Sequence, residues 1–251
     1  MSVTEQPRGP KIASWLADKL FHNYVWRSIF RSGYPSTPRN QMLVVATNVF
    51  LHLHPTRLYK THVRITHTYC LGGITFFFFL GLTVTGVMLM FYYVPSSGQA
   101  YTDIAALETN VRFGMLMRNM HRWMAHGMVI SVFLHMMRVF YTGAYKPPRE
   151  FNWVVGVILL VLTLLLSYTG YLLPWDQLAI WAVTVGMNMA GTAPLLGEGT
   201  RLTMLGGLEV GDAALIRFYT LHVIGLPLMA AVFMAVHFWR IRRDGGLARP
   251  L

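Results

Sequence analysis

Four stretches of the chain are long and apolar enough to cross a membrane as helices. They cover residues 69–93, 123–141, 153–173 and 218–239. Each is close to the length of about twenty residues that a hydrocarbon core of about 30 Å requires. Aromatic residues flank all four stretches, as expected where a helix meets the membrane surface. The pattern predicts an all-α transmembrane protein built as a four-helix bundle.

The remaining parts of the chain also contain apolar patterns. Before the first span, apolar residues recur at helical spacing among basic ones, which predicts amphipathic helices on the membrane surface; they are Trp15, Leu16, Leu20, Phe21, Tyr24 and Val25. The connection between the third and fourth spans is too apolar for an ordinary loop and predicts one or two short surface helices, where a site for an amphiphile can form. We therefore divide the chain into an N-terminal extension, residues 1–67, and a transmembrane domain, residues 68–251.

Composition and charge agree with a membrane protein. Hydrophobic residues make up 54% of the 251 residues and charged residues 12%, which is too few charges to cover a soluble globule of this size. Nine basic residues precede the first span. Arg138, Lys146 and Arg149 lie at the connection between the second and third spans, and Arg240, Arg242, Arg243 and Arg249 follow the last span. With four crossings these residues share one side, so the positive-inside rule predicts that both termini are cytoplasmic. The net charge of +11 therefore indicates membrane topology, and nucleic-acid binding is not expected.

Four histidines recur at matching intervals in the second and fourth spans. His121 and His135 are 14 residues apart, and His222 and His237 are 15 apart. At about 100° and 1.5 Å per residue, each gap returns to nearly the same helix face roughly 21 Å further along. Neutral imidazole is a good ligand for haem iron, and four unpaired rings in hydrocarbon would be costly. A proton relay would normally include carboxylates, so two bis-histidine haem sites are the favoured interpretation.

Glycines in the first and third spans repeat the same interval. Gly72 and Gly86 are 14 residues apart, and so are Gly156 and Gly170. Glycine allows a bulky planar group to approach the backbone, although small residues also mediate close helix packing in membranes. Because two glycine pairs share the interval of His121 and His135, we favour the interpretation that these glycines make room for haem.

Basic residues near the histidines have two interpretations. Arg118 and Arg122 bracket His121, and Arg242 follows His237 by about one turn. Such arginines can pair with haem propionates or quinone oxygens, or they can anchor the helices at the membrane surface.

A proline interrupts the fourth span. Pro227 follows His222 by five residues and removes a backbone hydrogen bond. It predicts a kink or a local widening of the helix, which would allow a 15-residue gap to present both histidines to one partner helix.

Several motifs together resemble the cytochrome b family, and most closely its b6 branch. They are His121-Arg122-Trp123, His135, Lys146-Pro147-Pro148-Arg149-Glu150, Pro174-Trp175-Asp176-Gln177 and Arg217-Phe218-Tyr219-Thr220-Leu221-His222. The resemblance begins near Thr68 and continues to the end of the chain. It implies one haem b between His121 and His222 near the outer side, and a second between His135 and His237 near the cytoplasmic side.

Two features resemble the b6 branch more than the mitochondrial type. One is the 15-residue gap in the last helix, and the other is the segment Tyr69-Cys70-Leu71-Gly72-Gly73. This segment is similar to the one whose cysteine holds a further c-type haem through a single thioether. The resemblance therefore implies a covalent haem at Cys70, the single cysteine of the chain. Taken alone, a cysteine at a helix start is more often a small apolar residue.

The resemblance also implies substrates and partners. It places a quinol site near Pro174, Trp175, Asp176, Gln177 and Trp181, and a cytoplasmic quinone pocket near Arg242. We expect a subunit IV-like partner, because the segment that completes the outer site in the family is not found here. A Rieske-type iron–sulfur protein, a c-type cytochrome, membrane lipid and a homodimeric assembly are implied as well. The long N-terminal stretch favours a bacterial cytoplasmic membrane over a chloroplast.

The expected function is electron transfer within a quinol-oxidising complex that contributes to the proton-motive force. The chain would carry two haems b and a third haem at Cys70. One alternative is a two-haem bc1-type subunit in which Cys70 is unmodified. Another is a dihaem anchor that relays electrons between quinone and a dehydrogenase, which would have no need for the outer site around residues 174–177. A transporter that uses histidines as proton carriers would contain no haem.

Overall fold

The structure is a computed structural model that describes residues 15–16, 19–20, 23–24, 36–48 and 59–247. The chain divides into two units, Met1–Thr56 and Arg57–Leu251. In the first unit, helix α1, Pro38–Thr47, begins where the Thr37 hydroxyl accepts a hydrogen bond from the Asn40 amide at 3.2 Å. The amphipathic pattern at the N-terminus is described only in part: Trp15, Leu16, Leu20 and Tyr24 are exposed, and Phe21 and Val25 lie outside the described residues.

The second unit is helical throughout its described regular elements. A 3-10 turn, Lys60–Val63, leads into a series of α-helices: α2, Ile65–Thr68; α3, Leu71–Met90; α4, Ala100–Thr109; α5, Gly114–Tyr141; α6, Glu150–Leu172; α7, Gln177–Gly191; α8, Gly197–Leu205; and α9, Asp212–Thr220. The chain continues from α9 through a π turn, Leu221–Gly225, into α10, Leu226–Arg243.

Four helical segments of the described chain are long and apolar enough to cross a membrane. They are Leu71–Met90, Gly114–Tyr141, Glu150–Leu172 and the continuous segment Asp212–Arg243. The predicted all-α transmembrane fold is therefore confirmed. The second and fourth segments begin earlier than expected, because polar side chains such as Arg118 and Arg217 lower the hydropathy of their first turns.

Two short helices lie between the third and fourth spans, as the apolar connection predicts. Asp176 immediately precedes helix α7, and its Oδ1 accepts a hydrogen bond from the Ala179 amide at 2.8 Å. This is the usual role of aspartate at a helix N-cap. Helix α4 was not predicted. Its N-cap, Gln99, makes no side-chain capping hydrogen bond, and the helix contains two carboxylates. Its sequence therefore resembles that of a polar loop between two spans.

The helices pack as two pairs, α3 against α5 and α6 against α10. Buried side chains from α6, α7 and α9 close one end of the bundle, and they include Leu172, Val183, Leu215 and Phe218. Burial of each such side chain contributes roughly 2 kcal/mol. A smaller cluster joins α6 to α10 at Leu162, Leu226 and Ala230. Between the helix pairs the structure leaves two cavities, which contain the four histidines.

The last span contains a local widening at His222. This residue lies in the π turn Leu221–Gly225, immediately before Leu226 and Pro227. Proline has no N–H to donate, and a π turn accommodates one more residue than an α-turn. The 15-residue gap to His237 therefore acts as a 14-residue gap, and the widening predicted from Pro227 is confirmed.

Candidate functional site

The four histidine rings meet in two pairs between α5 and the last span. The ring centroids of His121 and His222 are 6.3 Å apart, and those of His135 and His237 are 6.4 Å apart. A metal–imidazole bond of about 2.0 Å, with roughly 1 Å more to the ring centre, predicts centroids about 6 Å apart across a single metal ion. Both pairs, here called the 121/222 pair and the 135/237 pair, have the separation that one metal ion held between two imidazole rings requires.

Threonine hydroxyls hold both rings of the 121/222 pair. Thr85 Oγ1 lies 2.8 Å from His121 Nδ1, and Thr169 Oγ1 lies 3.1 Å from His222 Nδ1. Each hydroxyl donates its own proton to a helix carbonyl, that of Gly81 at 2.7 Å or of Leu165 at 2.9 Å. The threonine oxygen is then an acceptor, so Nδ1 of each ring carries the proton and Nε2 is left as a metal ligand.

Each of the four predicted glycines lies against one of the histidines. A Cβ atom added at Gly72 would lie 3.4 Å from His135 Cε1, and one at Gly86 would lie 3.3 Å from His121 Cε1. At Gly170 the added Cβ would be 2.5 Å from His222 Cε1, which is too close for any side chain.

Gly156 is the least crowded of the four. Its added Cβ would be 3.6 Å from Met136 Sδ and 3.8 Å from His237 Cε1, both ordinary contacts. The first and third spans thus approach the histidine rings with bare backbone, at positions set by the 14-residue interval.

The cavities enclose the two pairs separately. The larger, about 320 Å³, is lined by His135, His237, Gly72, Gly156 and Cys70 among others. The smaller, about 120 Å³, is lined by both members of the 121/222 pair and by Gly86. Apolar side chains form most of the remaining walls of both cavities, as is typical of cofactor sites.

Cys70 lies at the start of the first span, at the edge of the larger cavity. It is exposed, and both it and Tyr69 adopt left-handed backbone angles, with φ of 53° and 51°. Non-glycine residues rarely adopt this conformation, which concentrates at functional sites. Arg138 of α5 donates to the His67 carbonyl from Nε at 3.1 Å and from Nη2 at 2.8 Å, and so anchors the chain three residues before the cysteine.

The three predicted arginines differ in their surroundings. Arg118 forms an ion pair with Glu108 of α4, so its guanidinium is already partnered. Arg122 is exposed, and Arg242 is half-buried in the last turn of α10. The structure brings none of the three into the linings of the two cavities described above.

The quinol-site candidates lie together around the start of α7. Trp175 is buried and has a φ of 53°, and Asp176 is the N-cap of the helix. Gln177 and Trp181 are exposed, and Pro174 is half-buried.

Nearby, Tyr93 donates from its hydroxyl to the Leu173 carbonyl at 2.6 Å. This bond ties the end of the first span to the segment that precedes α7. Burial, and then the neighbouring Tyr219 and Asp103, raise the pKa of Tyr93. The phenol therefore stays protonated and continues to donate this bond.

Three residues with a direct role in these sites were missed by sequence reasoning, namely Thr85, Thr169 and Tyr93. A signal existed for the first two, because each threonine immediately precedes one of the predicted glycines, Gly86 or Gly170. No comparable signal marks Tyr93, whose partner lies 80 residues away.

Comparison with known proteins gives one consistent family. Residues 56–245 match the family model described as Cytochrome b/b6/petB. The cytochrome b6 of Heliomicrobium gestii is 48% identical over 196 residues, which cover 76% of this chain and 92% of that protein. The cytochrome b6 of Porphyra purpurea is 47% identical over 190 residues, covering 76% and 87%.

A solved structure of a hyperthermophilic respiratory Complex III has the same fold. The TM-score is 0.68 at 27% sequence identity, and the match covers 91% of this chain and 55% of that one. This chain therefore spans about half the length of its structural relative.

Proposed function

Because this chain belongs to the cytochrome b/b6 family, we propose that it is the haem-carrying subunit of a quinol-oxidising complex of the bc or b6f type. The observation that carries the proposal is the geometry of the two histidine pairs, with ring centroids 6.3 and 6.4 Å apart between facing helices. A chain that needed histidines only for packing or proton relay would have no reason to space two pairs for a metal ion.

The residues around both pairs fit haem b. When bound, haem would supply one-electron oxidation and reduction. His121 with His222, and His135 with His237, would hold the two haem irons through ring nitrogens, and the glycines of the facing helices leave the backbone open for a planar group. The hydroxyls of Thr85 and Thr169 fix the tautomer of one pair. The apolar walls of both cavities exclude water and keep the surroundings of the metal poorly polar.

The two sites are placed for transfer of electrons across a membrane. His121 and His135 are separated along α5 by roughly 21 Å, since each residue of a helix rises about 1.5 Å. The quinol site would lie near residues 174–177 and Trp181, and a quinone pocket near Arg242 would lie at the other surface. Movement of charge across the membrane would contribute about 2.3 kcal/mol per charge per 100 mV to the proton-motive force.

Cys70 is the proposed attachment point of a third, c-type haem. Two observations support this role: the thiol is exposed at the edge of the larger cavity, and it sits in a left-handed turn whose preceding segment is anchored by Arg138. A single thioether to Cys70 would place the group beside the 135/237 pair. The two-haem form of the subunit, with an unmodified thiol, is the opposite outcome of the test below.

The proposed setting is a multi-subunit complex in a bacterial cytoplasmic membrane with both chain termini cytoplasmic. The partners would be a subunit IV-like chain, a Rieske-type iron–sulfur protein and a c-type cytochrome, in a homodimer. The surface of α7 supports a covered position in such a complex, because it exposes a row of apolar side chains: Leu178, Trp181, Val185 and Met189.

Replacement of single histidines tests the pairing. His121→Ala and His222→Ala should each remove the same one of two haems b, and His135→Ala and His237→Ala should each remove the other. His126→Ala is the matched control, because this exposed histidine lies on α5 five residues from His121 and outside both pairs. Loss of a different haem by two members of one pair, or no haem in the folded wild-type protein, would contradict the proposal.

Extraction with acidified acetone tests the third haem. This treatment removes haem b, so a pyridine haemochrome spectrum of the residue reports only covalent haem. Haem retained by the wild type and lost in Cys70→Ala would establish the attachment. If all haem is extracted from the wild type, the chain is a two-haem subunit.

A further inference from the structure

A histidine outside both pairs lies on the outward face of the second span, at the depth of the membrane core. His126 is exposed and lies close to the middle of α5. With 28 residues, this helix is about 42 Å long, whereas the hydrocarbon core is about 30 Å thick. The ring of His126 therefore lies roughly 13 Å from either surface of the core.

The His126 ring makes no hydrogen bond within the part of the chain that the structure describes. It contacts the ring of Trp123 edge-on, with the centroids 5.8 Å apart. A neutral imidazole carries one donor and one acceptor nitrogen, and hydrocarbon can pair with neither. Ionisable residues at membrane depth almost always face other protein groups. The position of His126 therefore indicates that protein covers it.

His126 belongs to a row of exposed side chains along α5. Successive members are separated alternately by three and four residues: Trp123, His126, Ile130, Phe133 and Met137. This is the spacing at which two helices pack side by side in a left-handed pair. A single polar residue in such a seam fixes the register of the partner helix. The row remains exposed although α5 packs against α3, α4 and α6, so it has the form of a contact surface for one more helix.

Arg122 adds a positive charge to the same face, one turn nearer the start of α5. It is exposed, and it forms no ion pair with any residue that the structure describes. Arg118, by contrast, pairs with Glu108 of α4. A helix with a carboxylate at the level of Arg122 and a hydroxyl or amide at the level of His126 would complement both residues.

A second copy of this chain does not suit this surface. Two copies in one membrane are related by a twofold axis along the membrane normal, so their α5 helices would run parallel and Arg122 would face the same residue of the other copy. Helix α5 contains no acidic residue that could lie between the two charges. Like charges at an interface disfavour association, so the complementary helix belongs to a different chain.

We propose that a transmembrane helix of a different subunit packs along the row from Trp123 to Met137 and forms a hydrogen bond with His126. This helix presents a hydroxyl or amide side chain opposite His126 and a carboxylate opposite Arg122. The inference rests on the proposed function in one respect, since that function sets the chain among other membrane subunits. It does not depend on haem binding, because His126 lies outside the linings of both cavities.

Photo-crosslinking in the purified haem-loaded complex tests the contact. The photoreactive amino acid p-benzoylphenylalanine, in place of Ile130, leaves His126 intact and lies in the middle of the row. Irradiation should join α5 to a transmembrane segment of one other subunit, which mass spectrometry of the joined peptides identifies. That segment should contain the carboxylate and the hydroxyl or amide about one helical turn apart. The matched control is the same amino acid in place of Val84 of α3, which is 65% exposed against 60% for Ile130, and it should not give this product.

Replacement of the histidine tests its hydrogen bond. His126→Leu removes both ring nitrogens, whereas His126→Gln keeps a donor and an acceptor. Hydrogen bonds between membrane helices contribute modestly, so His126→Leu should release the crosslinked subunit in detergent about threefold faster than the wild type. His126→Gln and the control Val84→Leu should release it at nearly the wild-type rate. Native mass spectrometry follows the release, and both haems should remain in every variant.

Each outcome supports or overturns the proposal. A product that joins two copies of this chain, or no protein product at all, overturns it. Equal release of the subunit from His126→Leu and from the wild type overturns the role of His126. Haem spectra of the same preparations test the proposed function separately, because a wild-type complex without haem contradicts that function whatever the crosslink shows. If His126→Leu does not assemble, the crosslink from position 130, formed with His126 in place, decides the matter.

Discussion

Single hydroxyl groups distinguish the two histidine pairs. Thr85 and Thr169 accept hydrogen bonds from the rings of the 121/222 pair, whereas no threonine hydroxyl reaches His135 or His237 within the described chain. A hydrogen bond to the far nitrogen of an imidazole fixes its orientation and raises its basicity as a ligand. We therefore expect the two proposed haem sites to differ in metal affinity, although each offers two histidines.

Replacement of Thr169 by valine should weaken only the site at the 121/222 pair. Valine has nearly the shape of threonine but cannot accept the Nδ1 proton of His222. Loss of such a partner typically lowers metal affinity by 10- to 100-fold, and the midpoint potential of this haem should rise because its ligand is a weaker donor. Optical redox titration measures both effects.

Thr184→Val is the control for this variant. The Thr184 hydroxyl lies in α7, outside the linings of both cavities, and donates to the Ile180 carbonyl of its own helix at 2.9 Å. An equal effect of the two substitutions would show that the hydroxyl of Thr169 does not support His222.

Substitution at glycine gives a second prediction at this scale. Gly170→Ala would place a Cβ 2.5 Å from the His222 ring, so we expect loss of haem from the 121/222 pair and retention at the other. Gly199→Ala, in α8 and outside both cavities, has nothing within 4 Å of the added atom, so it should keep both haems and stabilise its helix by about 1 kcal/mol. Haem-to-protein ratios and thermal unfolding distinguish the two.

Site residues of a type that is uncommon in apolar helices could be predicted from the sequence. Histidine and glycine are rare enough in apolar helices that a repeated interval is informative. Threonine is common in such helices and usually bonds its own backbone, as Thr75 does with the Leu71 carbonyl. Its use as a partner for histidine depends on the packing of two helices, which no local pattern records.

Among the elements, the π turn has the largest influence on the sites. Without it, the one residue by which this gap exceeds 14 would turn His237 about 100° away from its present direction relative to His222. The π turn takes up this residue next to Pro227, where the hydrogen-bond ladder is already interrupted.

The π turn predicts which deletions the last span tolerates. Removal of Ile224, inside the turn, should convert it to regular α-helix and leave both histidines facing α5, so two haems should remain. Removal of Met229, in the regular part of α10, should rotate one histidine away and cost at least one haem. Pyridine haemochrome assays give the count, and equal losses in both deletions would contradict this role of the π turn.

Elements with long apolar runs were predicted well, and short ones less well. Proline at position 227 gave a specific reason to expect a widened turn. Helix α4 has no such marker: it is ten residues long and begins without a side-chain cap. Its formation depends on packing against α5, including the pair of Glu108 with Arg118.

At the scale of the whole molecule, Arg149 joins two parts of the chain that are distant in sequence. It lies just before α6, and its Nη2 donates to the carbonyls of Asp244, Gly246 and Leu247, which follow 95 to 98 residues later. This distance explains why sequence reasoning assigned Arg149 to a motif but did not connect it with Asp244. Contacts over such a distance follow from the complete bundle and leave no periodic signal.

Loss of the Arg149 hydrogen bonds should make residues 244–247 more mobile. In Arg149→Gln the amide can replace only part of the guanidinium bonding, so backbone amides of residues 244–247 should exchange hydrogen faster than in the wild type. The amides of α3 and α5 should be unaffected. Hydrogen-exchange mass spectrometry tests this, and unchanged exchange at residues 244–247 would show that Arg149 does not hold the segment.

The single cysteine of this protein also has a practical consequence. Any thiol-specific reagent can react at one position only, Cys70, which is exposed at the edge of the larger cavity. A thiol occupied by a thioether cannot be alkylated, so the unlabelled fraction after maleimide treatment counts the attached molecules directly in native membranes. Labelling of the wild-type chain therefore gives the ratio of attached haem to protein, and no engineered cysteine is needed.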